Sequence, residues 1–461
     1  MKKITFILVL AMSSFGLSAQ SLGYEDLSIL FSQDEENGTA RFVAMGGAFG
    51  ALGGDISSIN INPAGLAMFN NSSVSASLGV RNTNYRTNYY TNNTTTNDDY
   101  FSLSNVGAVL VFDDINNSDW TNFAIGVNYR IKTDFDNYFT ASGNSGFASF
   151  DAFPLDINTP ALVYDTAENQ TFNTTLNGEI AEYNFVISAQ HKNKLNIGAA
   201  VNTYSVRFNQ RSTLLETNND GNGNTLDANF YQESFTTGTG FSLSAGILYR
   251  ASDSFRFGLS YQSPTWYTEM FEETNITNND GYFGDTIIEV SNDNVIYDNT
   301  AGGFLPSQSF AYRLRTPGKL TASAAIVFGR VGLISFDYTS KNYQGLNLTG
   351  ADFSLENQFF DNQLRSTNNF NIGTEWRLAN LSLRGGYSYQ ESPDINAIDT
   401  DNLKRYSLGA GYSFGNVKID FAYSNDNRTG LYNFYPQFSQ VNAAEIEIDN
   451  RRIVATLTIG L

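Results

Sequence analysis

The sequence predicts an all-β chain: a 14-stranded antiparallel transmembrane β-barrel whose N-terminal segment plugs the lumen. Three observations predict it. Past residue 70, apolar residues alternate with small or polar ones in run after run. The connections between runs are alternately short and long, which gathers the long loops at one end. Aromatic residues make up 14% of the 461 residues and charged residues only 16%, where a soluble protein would carry about a quarter charged.

The first element is a leader. Lys2 and Lys3 precede an apolar run over 4–12, and small residues follow through Ser18-Ala19-Gln20. That is the order of a secretory signal, so residues 1–19 are expected to be removed after Ala19. The apolar run is too short to span a bilayer. Later runs are no longer than 324–328, so a membrane can be crossed only by strands. The lack of Cys excludes disulfide scaffolds, thiol nucleophiles and Cys-ligated zinc. A single His leaves little for a metal site or a catalytic relay. The net charge of -19 disfavours nucleic acid. No enzyme activity, cofactor or metal is expected.

Residues 20–70 read as the plug. Gly46, Gly47, Gly50, Gly53, Gly54 and Gly65 are interleaved with Ala44, Ala48, Ala51 and Ala64, which permits close backbone packing in a confined space. Phe42, Val43, Met45, Phe49, Leu52, Leu66, Met68 and Phe69 argue that the segment is buried. A short amphipathic helix is expected near 24–31.

Residues 71–461 form the barrel. In the clearest run, Tyr406, Leu408, Ala410, Tyr412 and Phe414 alternate with Ser407, Gly409, Gly411, Ser413 and Gly415. Successive side chains of a strand point to opposite faces, so this ribbon has one apolar face and one small or polar face. Strands are expected at 73–81, 100–112, 120–131, 181–191, 194–210, 231–250, 254–268, 310–328, 331–340, 368–378, 380–390, 404–414, 417–426 and 450–461. Long polar loops are expected at 82–99, 132–180, 269–309 and 427–449. Tyr100, Phe101, Trp120, Trp266, Tyr267, Tyr387 and Tyr389 suit interfacial girdles. Lipid offers no hydrogen bonds, so the sheet must close. An even strand count places both chain ends on the side of the short turns, the periplasmic side of a Gram-negative outer membrane.

The stretch Arg41-Phe42-Val43-Ala44-Met45-Gly46-Gly47-Ala48-Phe49, then Asp55, then Asn62-Pro63-Ala64-Gly65-Leu66-Ala67-Met68-Phe69 resembles the hatch of the FadL/TodX (OMPP1) family of outer-membrane transporters. The tetrapeptide Asn62-Pro63-Ala64-Gly65 is its most specific part. The resemblance implies passive uptake of hydrophobic small molecules, long-chain fatty acids or aromatic hydrocarbons, by a monomer embedded in outer-membrane lipid. It also implies capture by external loops, an apolar pocket in the barrel and a sideways exit through the wall. Two features depart from the pattern: Leu461 is aliphatic where such barrels commonly end in an aromatic, and 120–131 holds no proline to mark a kinked third strand.

Candidate residues follow. Phe150, Phe153 and Leu155, with Phe304 and Leu305, are apolar residues in long loops, either a capture groove or loop mini-cores that cap the barrel. Arg207, Arg211, Arg313 and Arg315 near the loop end either meet a ligand carboxylate or balance local Asp and Glu. Pro264 and Pro317 fall nearly opposite one another in neighbouring strands and supply no ladder donor, which suggests a distortion of the wall. Asp220-Gly221-Asn222-Gly223-Asn224 starts like a calcium loop, but Thr225 and Tyr231 stand where Gly and Glu are required, so a flexible polar loop is expected. His191 beside Lys192-Asn193 has no catalytic partner in the sequence. The alternative reading is a structural or adhesive surface protein that binds an external partner through its acidic, Asn/Thr-rich loops. A second rival, a membrane-embedded hydrolase, would need a nucleophile beside a base at the rim, and the single His, on the periplasmic side, serves that poorly.

Overall fold

The computed structural model describes residues 22–112, 119–152, 159–278, 289–290, 295–296, 307–434 and 440–461. Fourteen strands make one closed antiparallel barrel. They are β1 (Ser73–Tyr89), β2 (Asn92–Phe112), β3 (Trp120–Asp134, then Asn137–Gly143), β4 (Thr166–His191), β5 (Leu195–Asn219), β6 (Thr225–Arg250) and β7 (Phe255–Gln262, then Trp266–Asn278). The second half comprises β8 (Ser307–Arg315, then Lys319–Phe328), β9 (Gly332–Asn342), β10 (Ser366–Leu378), β11 (Leu381–Gln390), β12 (Leu403–Phe414), β13 (Val417–Tyr432) and β14 (Ala444–Gly460). Closure is direct: β1 pairs with β14 from Ser73↔Gly460 to Asn88↔Glu445, so the first and last strands leave no edge open to lipid.

The alternation read from sequence sets which face is outside. On β1, Val74, Leu78 and Val80 are exposed while Ser75 and Ser77 are buried; on β14, Ile453, Leu457 and Ile459 are exposed while Val454 and Thr456 are buried. Trp120, Phe328, Trp376 and Phe414 are exposed at the short-turn end, with Phe328 and Trp376 stacked at 5.8 Å. Trp266 packs on Phe241 at 5.2 Å as a girdle residue would, whereas Tyr267 turns inward and is fully buried. No helix among the described residues is long and apolar enough to cross a membrane.

The stretch 82–99, expected to be a loop, is instead the upper half of a hairpin. β1 and β2 stay paired to Tyr89↔Asn92 around a two-residue turn. Above the lipid the outward face meets water, so its apolar residues give way to polar ones although the ladder continues and Thr83, Tyr85, Thr87 and Tyr89 stay buried on the inner face. Polar cross-strand pairs take over on the outward face: Asn82 donates to Asp99 and Asn84 to Asn97, both at 2.8 Å. β4, β5 and β6 likewise run 26, 25 and 26 residues, roughly 80 Å at about 3.3 Å per residue, far beyond an apolar band about 25 Å tall.

The N-terminal segment threads through the lumen. It contains helix α1 (Tyr24–Ser32), the short helix α2 (Ala40–Ala44) and two 3-10 turns, Ile56–Asn60 and Pro63–Met68. A loop helix α3 (Ser354–Gln363) follows β9 and packs over α1, with the Tyr24 and Phe353 rings 5.3 Å apart.

Candidate functional site

Residues 40–69 are seated against the wall with almost no spare space. Asn62 is the pivot of the Asn-Pro-Ala-Gly turn. Its side-chain oxygen accepts from the Ala64 N–H (3.1 Å), and its amide donates to the carbonyls of Gly50 (2.8 Å) and Ile247 on β6 (2.9 Å). Pro63 begins the 3-10 turn, where no N–H is needed. Strand glycines make the room: a Cβ at Gly198 would lie 2.5 Å from the Pro63 carbonyl carbon, and one at Gly373 2.4 Å from the Met45 carbonyl oxygen. Asp337 of β9 accepts the Phe49 and Gly50 N–H groups at 2.9 Å.

A buried ion network fixes the same region. Glu375 of β10 accepts from Arg41 of the plug and from Arg384 of β11, each at 2.7 Å, and from Arg377 at 2.6 Å. Arg384 also meets Asp420 at 2.7 Å. Glu375 is thus shared among three guanidinium groups and Arg384 between two carboxylates, which makes burial of the charges tolerable.

Residues 22–37 are held differently. Three successive acids in the link after α1 each reach a separate group of wall cations. Asp34 lies 3.3 Å from Lys132, 3.5 Å from Lys341 and 3.6 Å from Lys319. Glu35 pairs with Arg452 at 2.7 Å, and Glu36 with Arg405 at 3.0 Å. Burial by itself would raise the Asp34 carboxyl, but the three ammonium groups outweigh it and hold the group well below the usual carboxylate range.

A cavity of about 540 Å³ opens beside this link, a size suited to a small ligand. Leu22, Ile29, Leu30 and Phe359 give it an apolar side, while Asp34, Lys319 and Lys341 stand at its charged end. α1 in turn rests on an aromatic cluster, with Phe31 5.7 Å from Phe135 and 5.6 Å from Phe208.

The wall is broken next to that link. The β2–β3 ladder runs from Phe112↔Phe123 to Asn105↔Arg130 and ends there. A bulge shifts the β1–β2 register at this level, so that Ser104 and Asn105 both face inward. Above Arg130 every residue of 131–135 is buried: β3 turns into the lumen while staying paired with β4. The plug takes over part of the role of β2. The Glu35 N–H donates to the Lys132 carbonyl at 3.1 Å, and the Thr133 hydroxyl to the Gln33 carbonyl at 3.0 Å. From β1, Arg81 pairs with Asp134 at 2.5 Å and Thr87 donates to the Thr140 carbonyl at 2.5 Å. The kink lies just past 120–131, where no proline marked it; an inserted, irregular plug segment and buried ion pairs accompany it instead.

Phe150 is buried in an aromatic cluster under the outer mouth, 6.1 Å from Phe230, and its N–H donates to Glu216. Phe153, Leu155, Phe304 and Leu305 lie outside the described residues. Pro264 and Pro317 occupy facing interruptions of β7 and β8, with ladder pairs below at Lys319↔Gln262 and above at Arg315↔Trp266. The Thr316 N–H bridges the interruption to the Thr265 carbonyl at 3.0 Å. Arg207, Arg211, Arg313 and Arg315 are exposed on the outside of the barrel, away from the cavity, and Arg211 pairs with Glu233. In the 220–224 loop, Asp220 accepts from Asn222 and Asn224. His191 lies against Trp120, with ring centroids 4.9 Å apart. Sequence reasoning missed the acids at 34–36 and their cations. The available signal was an acidic triplet inside an otherwise small and apolar plug, together with Lys and Arg at inward strand positions.

The comparisons with known proteins agree with this architecture. A family model described as outer membrane protein transport protein (OMPP1/FadL/TodX) matches residues 31–429. Outer membrane protein P1 of Haemophilus influenzae is 24% identical over 318 residues, which is 66% of this chain and 62% of that protein's length. A FadL homologue of Pseudomonas aeruginosa has a TM-score of 0.61 at 15% identity, covering 93% of this chain and 99% of the other. The toluene transporter TodX of P. putida has a TM-score of 0.57 at 15% identity, with coverage of 93% and 99%. Both structures share the fold.

Proposed function

Because the chain belongs to the OMPP1/FadL/TodX family of outer-membrane transport proteins, we propose that it is a passive channel for hydrophobic small molecules and that its cargo is an apolar body bearing an acidic head, of the long-chain fatty-acid class. The observation that carries this reading is the charged end of the cavity. Lys319 and Lys341 line it there and, with Lys132 behind them, converge on the carboxylate of Asp34, beside the apolar side formed by Leu22, Ile29 and Leu30. An uncharged aromatic hydrocarbon would make no charge-assisted contact with those ammonium groups. A fatty acid would place its carboxylate among them and its chain along the apolar side.

A ligand carboxylate competes with Asp34 for the lysines, and Asp34 belongs to the same link that holds β3 inward through Lys132 and Thr133. Binding therefore loosens the link while residues 40–69 keep the straight aqueous path closed, and the cargo leaves through the break between β2 and β3. Lys319→Met with Lys341→Met in purified protein tests the head-group assignment. Oleate binding is expected to weaken about tenfold or more, since charge-assisted contacts contribute about 1.5–3 kcal/mol, while toluene binding is unchanged. Oleate and its methyl ester binding equally well to the native protein would overturn it.

A further inference from the structure

A second concavity lies on the outer, lipid-facing side of the wall. It is a groove of about 440 Å³ crossing β14, β1, β2, β3 and β4. Two rows of outward residues in cross-strand register build it. One row is Leu457, Ala76, Val106, Tyr129 and Tyr183; the other is Ile459, Val74, Ala108, Val127 and Phe185. The dip follows from side-chain size. Ala76 and Ala108 lie in the middle of the rows, with Tyr129, Tyr183 and Phe185 rising on one flank and Leu457 on the other. Neighbouring strands stand about 4.8 Å apart, so five of them give a track of roughly 20 Å, the length of an extended long-chain acyl tail.

The position of the groove says what it is for. Val106↔Tyr129 is the rung directly below Asn105↔Arg130, where the β2–β3 ladder ends. A molecule leaving sideways through that break meets this rung first. The rim there is half polar, because the Tyr129 hydroxyl faces Glu179 at 3.5 Å, and beyond the rim the outward side chains of both rows are apolar apart from the tyrosine hydroxyls.

We propose that this groove is a landing site for the apolar tail of the departing ligand, holding it on the outer wall between the break and the surrounding lipid; the assignment rests on the channel reading above. The occupant is a single linear hydrocarbon chain carrying an acidic head. The tail lies over Ala76 and Ala108 while the head is still at the break, so the cargo is never fully exposed to either water or a charged lumen.

Because the chain contains no Cys, one introduced thiol is a unique handle. The experiment uses Ala108→Cys in proteoliposomes, reading oleate entry with an entrapped fatty-acid sensor before and after alkylation by a benzyl-sized maleimide. The same barrels are measured twice, so folding does not confound the result. Ala322→Cys, exposed on the lipid side of β8, serves as the control position. Alkylation at 108 is expected to slow protein-dependent entry about tenfold, a loss of about 1.4 kcal/mol of tail contact, while luminal oleate binding in detergent and the control position stay unchanged. Ala76→Phe is expected to act in the same direction. Unchanged entry after complete alkylation at 108 would overturn the landing site and leave the channel intact. Absence of protein-dependent oleate entry in the unmodified protein would instead overturn the channel reading, and the landing site with it.

Discussion

The two halves of the plug obey different physics. Residues 40–69 are locked by shape: glycines in the wall admit their backbone, and Asn62, Arg41 and Asp337 tie it down through buried hydrogen bonds and ion pairs. In residues 22–37, α1 packs on an aromatic cluster and the link after it is locked by charge, with Asp34, Glu35 and Glu36 paired to wall cations beside a cavity. Tight contact has no graded release, because any shift meets atoms at once. Charge contact beside a cavity can be exchanged for another anion. On the channel reading proposed above, the lower half serves as a stopper and the upper half as a latch.

The largest effect is expected where the stopper is tied by charge. Glu375→Gln leaves Arg41 and Arg384 buried without their shared carboxylate, a cost of about 3–5 kcal/mol. It should appear as protease cleavage within 40–69 and as a larger single-channel conductance in planar bilayers. Next comes Gly198→Val, which forces a side chain into the Pro63 carbonyl and should cost about 1–3 kcal/mol, read as a lower melting temperature of the purified barrel.

A smaller and more local effect is expected in the latch. Asp34→Asn leaves the three lysines without their carboxylate and should speed amide exchange across 24–37 about tenfold while exchange across 56–69 stays unchanged. Parallel loosening of both stretches would remove the distinction between stopper and latch. The smallest effect is expected from acid. The Asp34 carboxyl is held below its ordinary value, so its stabilisation is complete above the unfolded value of about 3.9 and is lost only as pH falls through the depressed one. Amide exchange of 24–37 should thus show no contribution from Asp34 between pH 7 and pH 5.

How much of this was legible in the sequence depended on what each residue faces. Within the lipid band, one apolar and one polar face leave a period of two, and runs such as Tyr406 to Phe414 locate β12 directly. Above the band the signal vanishes, because Asn82, Asn84, Asn97 and Asp99 are equally suited to loop and to wet strand. The Asn62-Pro63-Ala64-Gly65 turn was visible because its capping chemistry is local. The latch was not, because Asp34 and its partners Lys132, Lys319 and Lys341 lie about 100 to 300 residues apart and only barrel closure brings them together. The break between β2 and β3 was hidden for the same reason: its cause is a plug segment distant in sequence rather than a proline in the strand.

Ligand is expected to move the upper half of the plug and leave the lower half in place. Two pairs of spin labels in this Cys-free chain test it by pulsed dipolar spectroscopy with and without oleate. One pair is Gln33→Cys with Asn222→Cys in the outer turn, the other Ile61→Cys with Asn416→Cys in the turn at the opposite end. Oleate is expected to shift or broaden the distance distribution of the first pair and to leave that of the second unchanged. Oleate moving both pairs together, or moving neither while it is bound, would contradict this expectation.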